Sequence, residues 1–467
     1  MHAAVHPMST PPAPARENAG CWGFTAGSIA RVCDTGFRKN KRRYAGFVTP
    51  RTPDAVIVGA GHNGLVAANV LADAGWSVVV HEAEAEPGGA VRSGELIEPG
   101  FVHDYASAFF PLGVASPVFR ALGLELPWRH GPLVLAHPAV DGSCAVLERG
   151  RDELWERIEP ALLQAMTTPF PQVRAGLQLA LEPGALRLLL LPQDELERRI
   201  VVGNALHTDA PPRSLAGRGF GAVLTRLGRR HGYPCVAGGA GTITKQLVER
   251  AESHGVEIVC NSRVQRLPAA RRAVIAAVSV WELAALTGRR SSVAPDPATL
   301  KVDWTLDGPV PWTAPDARRS PVVHLGGPGS FLIFGQYSMA DATRAPDGKE
   351  VAWAYSHDLG DPDSLEREVE RLAPGFRALI RGRHVAQLSP GRLNGGTARL
   401  RNQLVFRPRF GRPRIAPGVY LGSMSAHPGG GVHGAPGWIA AQAALDARAR
   451  RRVRGRSSLT SSSRYTT

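Results

Sequence analysis

The chain has 467 residues, 43% of them hydrophobic and 20% charged, with a formal net charge of +15. This composition excludes a disordered chain and a single small domain. Five scattered cysteines with no Cys-x-x-Cys pair argue against a disulfide framework, a zinc site or a redox-active dithiol, and fit a reducing, cytoplasmic setting.

Much of the positive charge is local. Arg38, Lys39, Lys41, Arg42 and Arg43 sit near the start, and Arg448, Arg450, Arg451, Arg452, Arg454 and Arg456 at the end. Such runs read as solvated tails, with attraction to an anionic surface as the sharper reading. Without aromatic residues interleaved among the basic ones, nucleic acid is not expected as a partner. Residues 1–53, rich in Pro, Ala and Arg, lack periodicity and the apolar core of a secretory signal. A transit peptide and a start codon placed too early are both open readings of this extension. No run of about 18 apolar residues occurs, so no transmembrane helix is expected. The most apolar short run, Ala185–Pro192, reads as a buried helix or as a peripheral contact with a membrane.

The ordered pattern begins at Asp54. Ala55–Val58 reads as a strand, Gly59–Gly64 as a turn, Leu65–Ala74 as a helix stopped by Gly75, and Ser77–Val80 as a second buried strand. A second helix–strand unit covers Gly241–His254 and Val256–Cys260, and Ala273–Val278 is another apolar strand. Residues 301–356 alternate, which predicts antiparallel sheet. A strand over Val419–Leu421, a glycine loop and a helix over Trp438–Ala447 close the chain.

The turn after the first strand, Gly59-Ala60-Gly61-His62-Asn63-Gly64, fits G-x-G-x-x-G. Gly59 permits the tight turn, Gly61 lets backbone approach a pyrophosphate, and Gly64 lets helix pack closely on strand. The helix N-terminus presents free N–H groups to the phosphate. Glu82 follows the second strand, where an acid accepts ribose hydroxyls and repels a 2′-phosphate. The bland alternative is an ordinary strand–turn–helix with an exposed acid.

Two further segments carry a resemblance. Pro87-Gly88-Gly89-Ala90-Val91-Arg92-Ser93 looks like the loop after the ribose-binding acid in the amine oxidase and phytoene desaturase superfamily. Tyr420 to Gly434, containing Gly422, Gly430, Gly431, Val432 and His433, looks like its closing flavin-contact motif. Gly100–Ser107, Gly238–Gly241, Lys301–Trp304 and Gly335–Met339 resemble intermediate segments. The sequence is most similar to the bacterial NAD(P)/FAD-dependent oxidoreductases related to phytoene dehydrogenases. The resemblance implies an α/β fold: a Rossmann-like FAD-binding domain of the two-dinucleotide type with an interleaved antiparallel-sheet and helical substrate domain. It places the FAD domain at 54–135, 236–280 and 401–447, and the substrate domain at 136–235 and 281–400, with tails over 1–53 and 448–467. It implies FAD as cofactor, gripped by both glycine turns, with Val264 contacting adenine through its backbone. Departures are visible. Only Gln265–Arg272 stand where the family inserts a β-hairpin, and Ser423 stands where relatives often carry an acid.

The implied activity is hydride transfer between flavin and a hydrophobic substrate, isoprenoid or carotenoid-like, in desaturation or isomerisation. The alternatives are a non-catalytic flavin-binding protein and an NAD(P)-linked dehydrogenase. No catalytic residue is singled out and no metal set is expected. His427 and His433, six residues apart, lack a third ligand. His103-Asp104 reads either as a polar pair near the cofactor or as a loop cap.

Overall fold

The computed structural model describes residues 52–106, 108–169, 172–325, 331–357, 360–391, 395–399 and 412–447. The extension expected over 1–53 lies outside the described residues up to Arg51, as do Ser107, the stretch 401–411 and the basic tail over 448–467.

A parallel sheet grows from short apolar runs. β1 (Ala55–Val58) is buried along its whole length, as a strand covered on both faces must be. α1 (His62–Asp73) crosses back from it with every residue from His62 to Leu71 buried, which makes it an interior helix. β2 (Val78–His81) then pairs in parallel, Ala55 opposite Val78. The six-stranded order is Arg414–Ala416, Val419–Leu421, Ala273–Ala276, β1, β2, Glu257–Val259. The edge strand Arg414–Ala416 runs antiparallel to its neighbour. The expected helix at Gly241 spans Gly241–Ser253, and the closing helix starts earlier than its sequence signal, over 435–447.

No strand forms over 260–272, the stretch that falls short of the family hairpin. The chain instead returns from one sheet edge to the strand beside β1. Arg271 and Arg272 donate their N–H groups to the carbonyls of Pro53 and Asp54 (both 2.9 Å), and both guanidiniums pair with the Asp54 carboxylate.

The second sheet has seven strands, in the order Ile380–Leu388, Thr299–Leu306, Glu350–Ser356, Leu332–Gln336, Val322–Leu325, Leu135–Pro138, Cys144–Leu147. Alternation divides its residues between two faces. Leu300, Val302, Trp304 and Phe334 pack under helix Pro362–Leu372 through Leu365 and Val369. The opposite face carries Ile333, Phe331 and Trp353 beneath Ile200 and Leu224 of the helices Glu195–Ala205 and Leu215–His231. Lys301 and Asp303 stand opposite Tyr355 and Trp353, so two charges face inward on this second side. Both sheets belong to one compact unit.

The apolar run Ala185–Pro192 corrects the expectation of a buried helix. It forms a short 3-10 turn, Ala185–Leu189, with no buried residue. Leu186 and Leu190 are 76% and 64% exposed. Gly184 before it sits at φ +86°, and Pro192 follows, so the run has no length in which to become a longer helix.

Candidate dinucleotide site

The first glycine turn has the geometry its spacing requires. Gly59 takes φ +99°. A Cβ on Gly64 would lie 2.0 Å from the Gly59 carbonyl oxygen, whereas one on Gly61 would meet nothing within 4 Å. Helix and strand thus touch at Gly64, and open space lies beside Gly61. The second loop folds against this turn: Gly61 bridges Gly88, and Gly88 donates to the Ala60 carbonyl at 2.8 Å. Gly89 sits alongside Gly61, with Ala90 half-buried behind it. The Glu82 carboxylate is buried, not an exposed acid. It accepts the N–H groups of Ala60 (2.7 Å) and Glu84 (3.0 Å). Ser262 donates its N–H to the Glu82 carbonyl at 2.7 Å, and half-buried Val264 follows two residues later.

The distant closing turn arrives at the same place. A Cβ on Gly437 would lie 1.9 Å from the Asn63 carbonyl oxygen, and one on Gly434 2.9 Å from Val66. The Gly431 carbonyl reaches the His62 ring, and the Ser116 hydroxyl donates to the His433 carbonyl at 2.7 Å. Val432 is buried beside Gly113, and Gly430 precedes it in the same turn. Gly422 lies a layer deeper, against Ile275 and Ala440; it seats the closing helix rather than lining the turn. Ser423 accepts the Ser425 N–H at 3.3 Å, so its hydroxyl serves its own loop.

Where the two turns meet, His62 Nε2, Asn63 Oδ1 and His433 Nε2 are buried without hydrogen-bond partners. Each such atom costs about 1–3 kcal/mol unless something pairs with it. Burial holds the His62 imidazole neutral down to about pH 4, the Gly431 carbonyl opposing. Burial, with His62 nearby, takes His433 to about 3. The donor set fits a polar, nucleotide-like group: free helix N–H groups, an acid placed for ribose, neutral imidazoles and an amide. Replacing Gly437 with Ala is expected to destabilise the fold by about 3 kcal/mol, because the obstacle is backbone. Gly61→Ala should stay within about 0.5 kcal/mol. Urea midpoints test this contrast, and equal midpoints for the two variants would refute the packing of the closing helix on α1.

Beside this site lies a charge network that sequence spacing did not reveal. Asp104 accepts from the Ser93 hydroxyl (2.6 Å), the Ala240 N–H (2.8 Å) and Arg344 (3.1 Å). Arg344 also pairs with Asp341 at 3.1 Å and lies over the Tyr337 ring. Lys301 bonds the Asp104 carbonyl and the Asp303 carboxylate. His103 turns away and bonds the Phe101 carbonyl at 3.1 Å. The His103–Asp104 pair is therefore not a pair, and Asp104 caps the start of helix Gly241–Ser253. The available signal was a lysine and an aspartate two apart inside the apolar strand Thr299–Leu306.

A second group of imidazoles lines the inner face of the seven-stranded sheet. His207 Nε2 lies 3.3 Å from His324 Nε2, and His207 Nδ1 lies 3.2 Å from the Tyr355 hydroxyl. His137 meets His324 edge-on. Among the described residues no three His, Cys, Asp or Glu side chains are placed to hold a metal. His427 reaches Gln172 and the Ala165 carbonyl. A cavity of about 10 Å³ separates Leu163 and Met166 from His433, room for one water.

The fold thus belongs to the Rossmann-like dinucleotide-binding class joined to a second, mixed sheet. Residues 57–123 match the family model of the NAD(P)-binding Rossmann-like domain. One of the limonene dehydrogenase polypeptides of Castellaniella defragrans is 39% identical over 72 residues, spanning 15% of this chain and 13% of that protein. Pyridine nucleotide-disulfide oxidoreductase domain-containing protein 2 of Rattus norvegicus is 23% identical, covering 83% of this chain and 92% of its own. The cyclohexylamine oxidase of Brevibacterium oxydans superposes with a TM-score of 0.54 at 17% identity, over 86% of this chain and 99% of that one. This last likeness is one of fold.

Proposed function

We propose that this chain is an FAD-dependent oxidoreductase acting on a hydrophobic substrate, by desaturation or isomerisation, with an isoprenoid hydrocarbon as first candidate. The meeting of two glycine turns around three partnerless buried polar atoms carries the reading. A lone dinucleotide unit for NAD(P) needs only the first turn; a flavin nucleotide is long enough to use both. When bound, FAD supplies hydride transfer. Gly61 and the N-terminus of α1 would receive the pyrophosphate, and Glu82 the ribose. His62, Asn63 and His433 would meet polar edges, and the positive end of the closing helix favours negative charge nearby.

The substrate class is supported by the inner face of the second sheet. Trp353 stacks on Tyr355 and Phe331 packs tilted against Tyr355, and the two charges on this face, Lys301 and Asp303, pair with each other, as Arg344 and Asp104 do beside it. Such a face suits an uncharged molecule better than a cationic amine. Limonene, in the name of one relative, is such a molecule. The stretch 260–272, which forms no strand where the resembled family inserts a hairpin, favours a second reading, a flavin-binding protein without turnover.

Purified protein is expected to be yellow, to bleach with dithionite, and to release FAD identified by mass spectrometry. Gly61→Val should leave the fold intact and the protein colourless. Colourless wild-type protein that takes up no FAD on titration overturns the proposal, and release of NAD(P) would transfer it to a dehydrogenase. A yellow protein that oxidises no isoprenoid hydrocarbon would favour the second reading.

A further inference from the structure

The described residues contain ten exposed large hydrophobic side chains, and eight of them lie between positions 173 and 220. Val173, Leu177 and Leu181 recur every four residues, so they form one stripe on helix Val173–Leu181. They are 72%, 57% and 71% exposed. The 3-10 turn Ala185–Leu189 packs against both this helix and helix Leu215–His231, which continues the stripe with Leu186, Leu190 and Phe220. A helix on the surface of a globular protein turns such a stripe inward, and a contiguous exposed apolar surface marks an interaction site.

The fringe of the stripe is basic. Arg174, Arg187 and Arg213 are exposed, and none of the ion pairs among the described residues involves them. Of the neighbouring acids, Glu182 pairs with Arg157 at 2.7 Å and Glu195 with Arg199 at 3.1 Å, Asp194 caps helix Glu195–Ala205, and exposed Glu197 is followed by exposed Arg198. An apolar stripe edged by unpaired arginines matches the acyl boundary and headgroups of an anionic bilayer. A second copy of the chain would set arginine against arginine, and the formal charge of +15 adds to that repulsion. No described helix is long and apolar enough to cross a membrane, which leaves contact from one side.

We propose that the Val173–Leu190 face, continued by helix Leu215–His231, docks on the surface of an anionic lipid bilayer. This contact stands independently of the flavin reading.

The test uses the full chain and co-sedimentation with phosphatidylcholine vesicles, with and without a third of phosphatidylglycerol. Binding is expected to the anionic vesicles and to weaken with salt. The Leu181→Asp/Leu186→Asp double variant should bind at least about tenfold more weakly with an unchanged melting temperature, because both side chains are exposed. Leu177→Ser/Leu190→Ser is the gentler pair and carries the same expectation. Arg174→Glu/Arg187→Glu should abolish the preference for anionic lipid. Absence of co-sedimentation, or double variants that bind like wild type, overturns the proposal. So does a dimer in solution that the leucine variants dissolve while vesicles capture nothing. Flavin content is measured separately: colourless protein that still binds vesicles sinks the flavin reading alone.

Discussion

Acidification from pH 7 to pH 5 is expected to remove most of the stability of this protein. Four buried imidazoles carry the effect. Burial lowers His207 to about 3, with His357 adding to it, and takes His62 to about 4 and His433 to about 3. Burial, then His207 and His137, push His324 well below its ordinary value. In the unfolded chain each ring takes up a proton near pH 6.5. Between that value and the folded value the unfolded state binds more protons, so stability rises with pH and falls as pH drops through the window. Each ring then loses about 1.4 kcal/mol per pH unit, or about 2 kcal/mol by pH 5. The three rings with folded values near 3 to 4 together approach about 6 kcal/mol, within the range of the whole stability of an ordinary domain, and His324 acts in the same direction. Urea midpoints at pH 7, 6 and 5 check this, and a midpoint at pH 5 equal to that at pH 7 would refute neutral burial. His324→Asn should flatten the slope by one proton. Asp303 acts later: burial opposes its charge, but Lys301, His384 and His103 hold its carboxyl below the usual range, so its contribution fades only at lower pH.

Replacing Arg344 by Met is expected to cost about 3–5 kcal/mol, the range for removing one partner of a buried ion pair. The guanidinium is fully buried, as are Asp104 and Asp341 on either side of it. Without it two carboxylates face each other in the interior, one of them capping a helix. The Asp104→Asn/Arg344→Met double variant should recover part of the loss, since it removes charges of both signs. Arg381→Met provides the contrast. Arg381 bridges Glu98 and Asp307 at the surface, with a side chain 38% exposed, and water and salt screen a pair of that kind until it contributes little. Denaturant unfolding of the variants decides the matter: an Arg344→Met protein no less stable than Arg381→Met would show that the buried network contributes nothing.

Residues close in sequence made the first half of the site legible. Gly59, Gly61 and Gly64 have distinct steric tasks within six positions, and Glu82 follows at the next strand end. The closing turn was legible only through resemblance, because nothing local ties Gly431 to His62. The Arg344–Asp104 contact joins residues 240 positions apart, and no periodicity encodes it. His103 and Asp104 misled because neighbours on a strand point to opposite faces, and that two-residue strand was not foreseen. The Ala185–Pro192 run misled differently. Apolar composition reports a preference for leaving water, whereas burial depends on what the rest of the fold brings over it, and here nothing described does.

The seat of Gly437 on Asn63 has a consequence for how the protein is made. A ribosome releases the Gly59–Gly64 turn long before the closing helix exists, so the nascent chain carries half a nucleotide cradle through almost all of translation. Strand Val419–Leu421 and the helix after it must emerge before the second half can dock. Completion of the six-stranded sheet is therefore a late event, and proteolytic clipping near the C-terminus would strip a strand and the closing helix from the Rossmann core itself.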